Sequence, residues 1–270
     1  QKKKIEKSQD LVYDISVETN HLTAVFPKLY FDKKALFRGI LSTKDNVSKM
    51  TLNIPKIVFN GINTENIELQ LDNQNPLFNT YMSLGKIQND SFTLLDFNTL
   101  GVKRADTLNF RTEFSSTNQK TDLFELNYSL IVDENRSLIL LKPSHIEYEN
   151  NHWILNPKSD KNHLISFDPI QQSISLNHIL VEQGEERIEL RGSYQSLQNY
   201  QLSLNMDKVL LQNLALSTEK FNLKGAMNLS LDIQRSPTLN GLQFNGSVDD
   251  FILNDLDMGS LRFFEAKNDG

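Results

Sequence analysis

Strict alternation of apolar and polar residues is the most persistent pattern in this chain. In FNLKGAMNLSLDIQ, residues 221–234, one set of alternate positions holds Phe221, Leu223, Gly225, Met227, Leu229, Leu231 and Ile233. Apart from Ala226, the positions between them are polar. Successive side chains of a strand point to opposite faces, so this segment predicts a long β-strand with one apolar and one wet face. The same period recurs in Leu202, Leu204 and Met206; in Leu108, Phe110 and Phe114; and in Leu126, Tyr128, Leu130 and Val132. It continues in Ile174, Leu176 and Leu180, in Ile188, Leu190 and Tyr194, and in MTLNIPKIVF and NIELQL nearer the start.

Turn signals separate these runs. Asn60-Gly61 and Asn240-Gly241 read as hairpin dipeptides, and Gly184 divides two strands able to pair. Asn245-Gly246 reads instead as strand, because Leu242, Phe244, Gly246 and Val248 keep the alternation. One segment, LTAVFPKLYFDKKALFRGIL, has a helical look: Phe26, Leu29, Tyr30, Phe37, Ile40 and Leu41 approximate a helical stripe, with Pro27 in a first turn. The expected fold is therefore all-β, an elongated, curved, mostly antiparallel sheet with at most one short helix. The absence of a Pro/Gly/Ser-rich linker predicts one segment, 1–270, without an internal boundary. The chain opens without methionine and stops in mid-pattern, so a piece of a longer protein is expected.

Composition narrows the function classes. A net charge of −6 argues against nucleic acid as partner, since phosphate binding needs a basic surface. With no cysteine there is no disulfide, thiol nucleophile or cysteine-ligated metal. No stretch approaches 18 consecutive apolar residues. The best metal-like cluster, His145, Glu147, Glu149 and His152, reads as an exposed polar strand face beside a turn. Asp249, Asp250, Asp255 and Asp257 lack the spacing of a calcium loop. No GxSxG elbow or phosphate loop occurs, and His163 and His178 sit in strand-like contexts without a nucleophile to serve. No catalytic residue, metal or cofactor is assigned, and no enzymatic activity is expected.

The apolar face remains, and it has two readings: a closed sandwich core, or the lining of an open trough that accepts acyl chains. Several segments add a resemblance. FPKLYFDKKALFRGILSTKDNVSKMTLNIPKIVFNGINTENIELQLDN (26–73), LDFNTLGVKRADTLNFRTEFSS (95–116) and SLILLKPSHIEYENNHWILNP (137–157) are three of them. LRGSYQSLQNYQLSLNMDKVLLQNL (190–214) and FNLKGAMNLSLDIQRSPTLNGLQFNGSV (221–248) complete the set. In their order and their strand–Gly–strand units they resemble the TamB/AsmA-like envelope proteins. That resemblance implies an amphipathic β-groove (a β-taco) in the periplasm, part of a larger protein anchored in the inner membrane upstream. It implies phospholipid acyl chains as cargo, an Omp85-class outer-membrane protein as partner, and a role in lipid transport or outer-membrane protein assembly. The candidate groove positions are Leu108, Phe110, Leu126, Leu202, Leu204, Met206, Phe221, Leu223, Met227, Leu229, Leu231 and Ile233. The alternatives are a β-sandwich binding or adhesion module and a carbohydrate-active enzyme. The enzyme would need facing carboxylates drawn from Glu147, Glu149, Glu185 and Glu186.

Overall fold

The computed structural model describes residues 10–17, 29–31, 34–116, 122–132, 136–214 and 221–265. Among them the regular structure is almost entirely antiparallel β, with one short 3-10 turn, Leu211–Leu214, and no α-helix. The chain divides into two compact units, Gln1–Glu125 and Leu126–Gly270, a division that no linker signal marks.

The first unit contains β1 (Asp10–Val17), β2 (Leu29–Phe31), β3 (Ala35–Ser42), β4 (Val47–Phe59), β5 (Ile62–Asp72), β6 (Thr80–Gln88), β7 (Thr93–Arg104) and β8 (Thr107–Ser115). β1 pairs with β3, and from β3 to β8 each strand pairs with the next; β2 pairs with the far half of β4. The expected helical stripe is strand instead: Tyr30 lies on β2, and Phe37, Ile40 and Leu41 lie on β3, while Phe26 and Pro27 fall outside the described residues. Ladders on both sides of β3 decide this, because Ile15, Phe37 and Leu52 stand in one cross-strand row. Propensity over a few residues is weaker than a two-sided ladder. Asn60-Gly61 forms the two-residue hairpin, with φ of 49° and 81°. Two positive φ values match the right-handed twist of the flanking strands.

The second unit begins within β9 (Leu123–Val132). It continues through β10 (Ser137–Leu141), β11 (Ser144–Tyr148), β12 (Asn151–Leu155), β13 (Leu164–Asp168), β14 (Ser173–Gln183) and β15 (Glu186–Ser196). β16 (Asn199–Leu210), β17 (Leu223–Ser236), β18 (Leu239–Leu253) and β19 (Leu256–Phe264) complete it. The ladder runs β9–β10–β13–β14 and then through consecutive hairpins to β19. The β11–β12 hairpin joins it through Ile154 and Leu155, opposite Glu182 and Val181 of β14. The Gly184 turn lies where expected. Asn240-Gly241 does not turn: both residues lie inside β18, and Pro237-Thr238 makes the bend. Pairing Ile233 with Leu242 keeps the apolar faces together, and that register moves the turn upstream.

Bulges redirect the alternation. Between Leu176 and Ile179, β14 carries an extra residue relative to β15, so Ile179 opposes Leu190 and Leu180 opposes Glu189. Leu180, expected on the face of Ile174 and Leu176, is therefore on the other one, and it is buried there. A bulge in β18 lies opposite Gly225, whose φ is 136°. A Cβ at Gly225 would come within 2.7 Å of Val248 Cγ1 and 2.9 Å of the Asp249 carbonyl, so only glycine fits.

Candidate functional site

In an antiparallel ladder, directly opposed residues share a face, so the register traces the apolar surface row by row. One row of the second unit runs Leu130, Ile139, Ile165 and Leu176 across β9, β10, β13 and β14. It goes on through Gly192, Leu202, Ile233 and Leu242 to β18. A second joins Ile179, Leu190, Leu204, Leu231 and Phe244. A third joins Val181, Ile188, Met206, Leu229, Gly246 and Phe263. No charged side chain interrupts these three rows. Two of their glycines bring neighbours close: the Phe263 ring lies over Gly246, and Leu202 packs on Gly192.

Leu202, Leu204, Met206, Leu229, Leu231 and Ile233 thus share one face, and Met227 extends it opposite Val209 and Val248. Leu223 pairs with Leu253 beyond the bulge. Phe221 precedes β17 and is exposed, so it is not part of the strand face. Leu126 is the first residue of the second unit, on β9. Leu108 and Phe110 belong to the first unit, where Phe110 lies opposite Gly101 and covers it. That unit has its own apolar row, Ile15, Phe37, Leu52, Leu69 and Met82, which ends in hydroxyls where Thr99 and Thr112 meet at 2.6 Å between oxygens.

Burial distinguishes these rows from a packed interior. The row residues of the second unit are partly buried, and Leu242 is 49% exposed. Among the described residues the buried hydrophobics are few: Ala35 and Ile54 in the first unit, and Trp153, Leu155, Leu180, Val209, Leu211 and Val248 in the second. A side chain covered by a second layer normally loses nearly all of its exposure. The shallow hollows of the second unit lie mainly on the opposite, polar face. One of about 700 Å³ is lined by Asn205, Asp207, Asn228, Ser230, Asn245 and Arg262, with the Phe264 ring among them.

The other sequence-marked clusters are dispersed or already bonded. His145 and the Glu147–His152 pair, 3.5 Å apart, occupy exposed positions of the β11–β12 hairpin, and Glu149 is in its turn. Asp255 pairs with Lys224 at 3.4 Å. Glu185 bonds Lys208 at 2.8 Å; this contact holds its carboxyl below the usual glutamate range. Glu186 is buried and accepts from Leu210 N–H at 2.8 Å, Asn213 Nδ2 at 2.7 Å and Gln183 Nε2 at 3.2 Å.

A grouping that the sequence reading missed lies at the start of β13. Asp160, His163 and His178 each bring a ligand atom within 4.8 Å of the others. His163 is 1% exposed, and its ring centre lies 4.7 Å from that of His178. Burial is the main cause that lowers the His163 pKa, with the nearby His178 second. Asp160 accepts from Asn162 N–H at 2.9 Å, the chief reason its pKa lies below the usual aspartate value. The two histidines are 15 positions apart, and they meet where β14 folds back along β13. No protein family, curated protein or solved structure matches the chain in comparison.

Proposed function

We propose that the apolar face of the second unit shields lipid acyl chains, as a non-enzymatic lipid conduit. The observation that carries this reading is the set of three uncharged cross-strand rows whose side chains remain partly exposed. Exposing a sixteen-carbon chain to water costs on the order of 13 kcal/mol, at about 0.8 kcal/mol per CH₂. A continuous apolar face removes most of that cost at every step along it. Without convergent polar anchors on the rows, it favours no one headgroup. The occupant to which the reading commits is therefore phospholipid of mixed headgroups.

The resemblance to TamB/AsmA-like proteins supports the same reading and extends it. In that extension the chain is a segment of a periplasmic β-groove, and an Omp85-class outer-membrane protein is its partner. Assistance to outer-membrane protein assembly belongs to the same proposal. The test is mass spectrometry of organic extracts from the purified chain, against a control protein of similar size. Stoichiometric phospholipid is expected. A lipid-free, cooperatively folded chain overturns the reading.

One observation favours a second reading, a binding module for a polar ligand: the hollow on the polar face, lined by asparagines, Ser230 and Arg262. That reading predicts a lipid-free chain whose ligand binding weakens on Arg262→Ala.

A further inference from the structure

The Asp160–His163–His178 grouping is assembled by two separate irregularities of the fold. The first is the loop before β13. Asn156, 1% exposed and in a left-handed conformation with φ 51°, donates from Nδ2 to the Leu141 carbonyl at 2.8 Å and the Asp160 carbonyl at 3.0 Å. Its Oδ1 accepts from Asp160 N–H at 2.8 Å. This buried amide fixes the segment that carries Asp160 and His163. The second irregularity is the β14 bulge between Leu176 and Ile179, which contains His178. Bulges re-aim side chains and recur beside functional sites.

We propose that Asp160, His163 and His178 form a binding site for a divalent transition-metal ion of the zinc class. Two imidazoles and a carboxylate are a donor set suited to zinc. Two rings bound to one tetrahedral ion, at nitrogen distances near 2 Å, place their centres roughly 5 Å apart. The 4.7 Å separation of His163 and His178 is already of that size. The ligand atoms, within 4.8 Å of one another, need to close by at most about 1.4 Å to reach the roughly 3.4 Å edge of a zinc tetrahedron.

His163 gives up at most one hydrogen bond, the long 3.4 Å one that Nδ1 accepts from Leu180 N–H. His178 Nε2 is buried without a hydrogen-bond partner. It faces Glu189 Oε2 at 3.6 Å, which brings a second carboxylate to the ring. Glu189 is also held by Arg187 at 3.2 Å, so it supports the site from outside rather than completing it. The ion would tie the loop before β13 to β14.

The test is calorimetric titration of zinc into the chelator-treated, untagged chain. It includes His178→Ala and Asp160→Asn, because the fully buried His163 is the riskier site to change. One ion per chain is expected, with affinity at least about tenfold weaker in either variant. The double variant His145→Ala/His152→Ala, at exposed positions of the β11–β12 hairpin, should bind as the parent does. As a readout that needs no variant, zinc but not magnesium should raise the thermal midpoint of the parent chain. Absence of one-equivalent binding overturns the proposal, as does unchanged affinity in His178→Ala.

Discussion

Leu204 of β16 stands directly opposite Leu231 of β17, on the apolar face, and neither side chain is fully buried. This half-covered pairing makes a charge at Leu231 informative. In an open face, Leu231→Asp keeps its carboxylate hydrated and loses only cross-strand contacts with Leu204 and Phe244, each about 0.2–1 kcal/mol. In a closed core the same charge would be stranded and the unit would unfold. The expected outcome is a strand spectrum like the parent's, a small drop in thermal midpoint and loss of co-purifying phospholipid. Ser230→Asp, one residue away on the polar face, should change none of these. Unchanged lipid content in a folded Leu231→Asp chain counts against the conduit.

Glu186 has been recruited by the fold rather than by chemistry. Its two oxygens take the Leu210 N–H, the Asn213 amide and the Gln183 amide, and so close the end of β16 and the turn after it. Glu186→Gln retains the volume but turns one acceptor into a donor that faces another donor. Leaving a buried polar group unmatched costs about 1–3 kcal/mol. Both Glu186→Gln and Glu186→Ala should therefore lower the denaturation midpoint, while Glu185→Gln, at the exposed neighbour, should have little effect. Equal stability of the 186 variants and the parent would show that these bonds are replaced by water.

Asp72 links stability to pH. Its carboxylate accepts from Gln74 N–H at 2.9 Å and lies 3.0 Å from Lys49 Nζ, and these two contacts, the backbone bond first, lower its pKa. A depressed carboxyl pKa means that the folded state prefers the ionised form. The stabilisation is present above the ordinary aspartate value of about 4 and disappears as pH falls through the lower folded value. The stability difference between the parent and Asp72→Asn should therefore shrink on acidification below about pH 4. Denaturant melts of the two chains across that range check it. A difference that is flat with pH would refute the link.

The strands were readable because one solvated face enforces a period of two over many residues, as from Leu223 to Ile233. Asn60-Gly61 was readable because its φ values are a local property of those two residues. The errors came where long-range register overrides local chemistry. Phe37, Ile40 and Leu41 mimic a helical stripe, yet the two ladders on β3 determine their conformation. Leu180 changes face because of one extra residue, and nothing in SISLNHIL marks that bulge. Asn240-Gly241 loses its turn to the pairing of Ile233 with Leu242. The His163–His178 contact was illegible for the same reason: each residue sits in an ordinary strand context, and the bulge and the loop before β13 supply the meeting point. The three apolar rows were legible within strands but not across them, since register is a property of pairs.

Asn156 concentrates several of these effects in one side chain. Its amide makes three short bonds to main-chain groups, and its own backbone is left-handed. Asparagine tolerates that conformation better than most residues, whereas alanine pays for its Cβ with about 1–2 kcal/mol. The lost bonds add about 1–3 kcal/mol where they leave buried groups unpaired. Asn156→Ala should therefore destabilise the second unit by roughly 2–5 kcal/mol in all, from the sum of those two effects. Asn156→Gly removes the same bonds without the Cβ strain, so it should be the milder change. The gap between the two variants measures the backbone contribution, and denaturant titration resolves it. Hydrogen exchange at the Asp160 amide, which Asn156 Oδ1 accepts, should accelerate in both. If exchange there is unchanged, the loop is held by something other than Asn156, and the preorganisation argued for Asp160 and His163 fails with it.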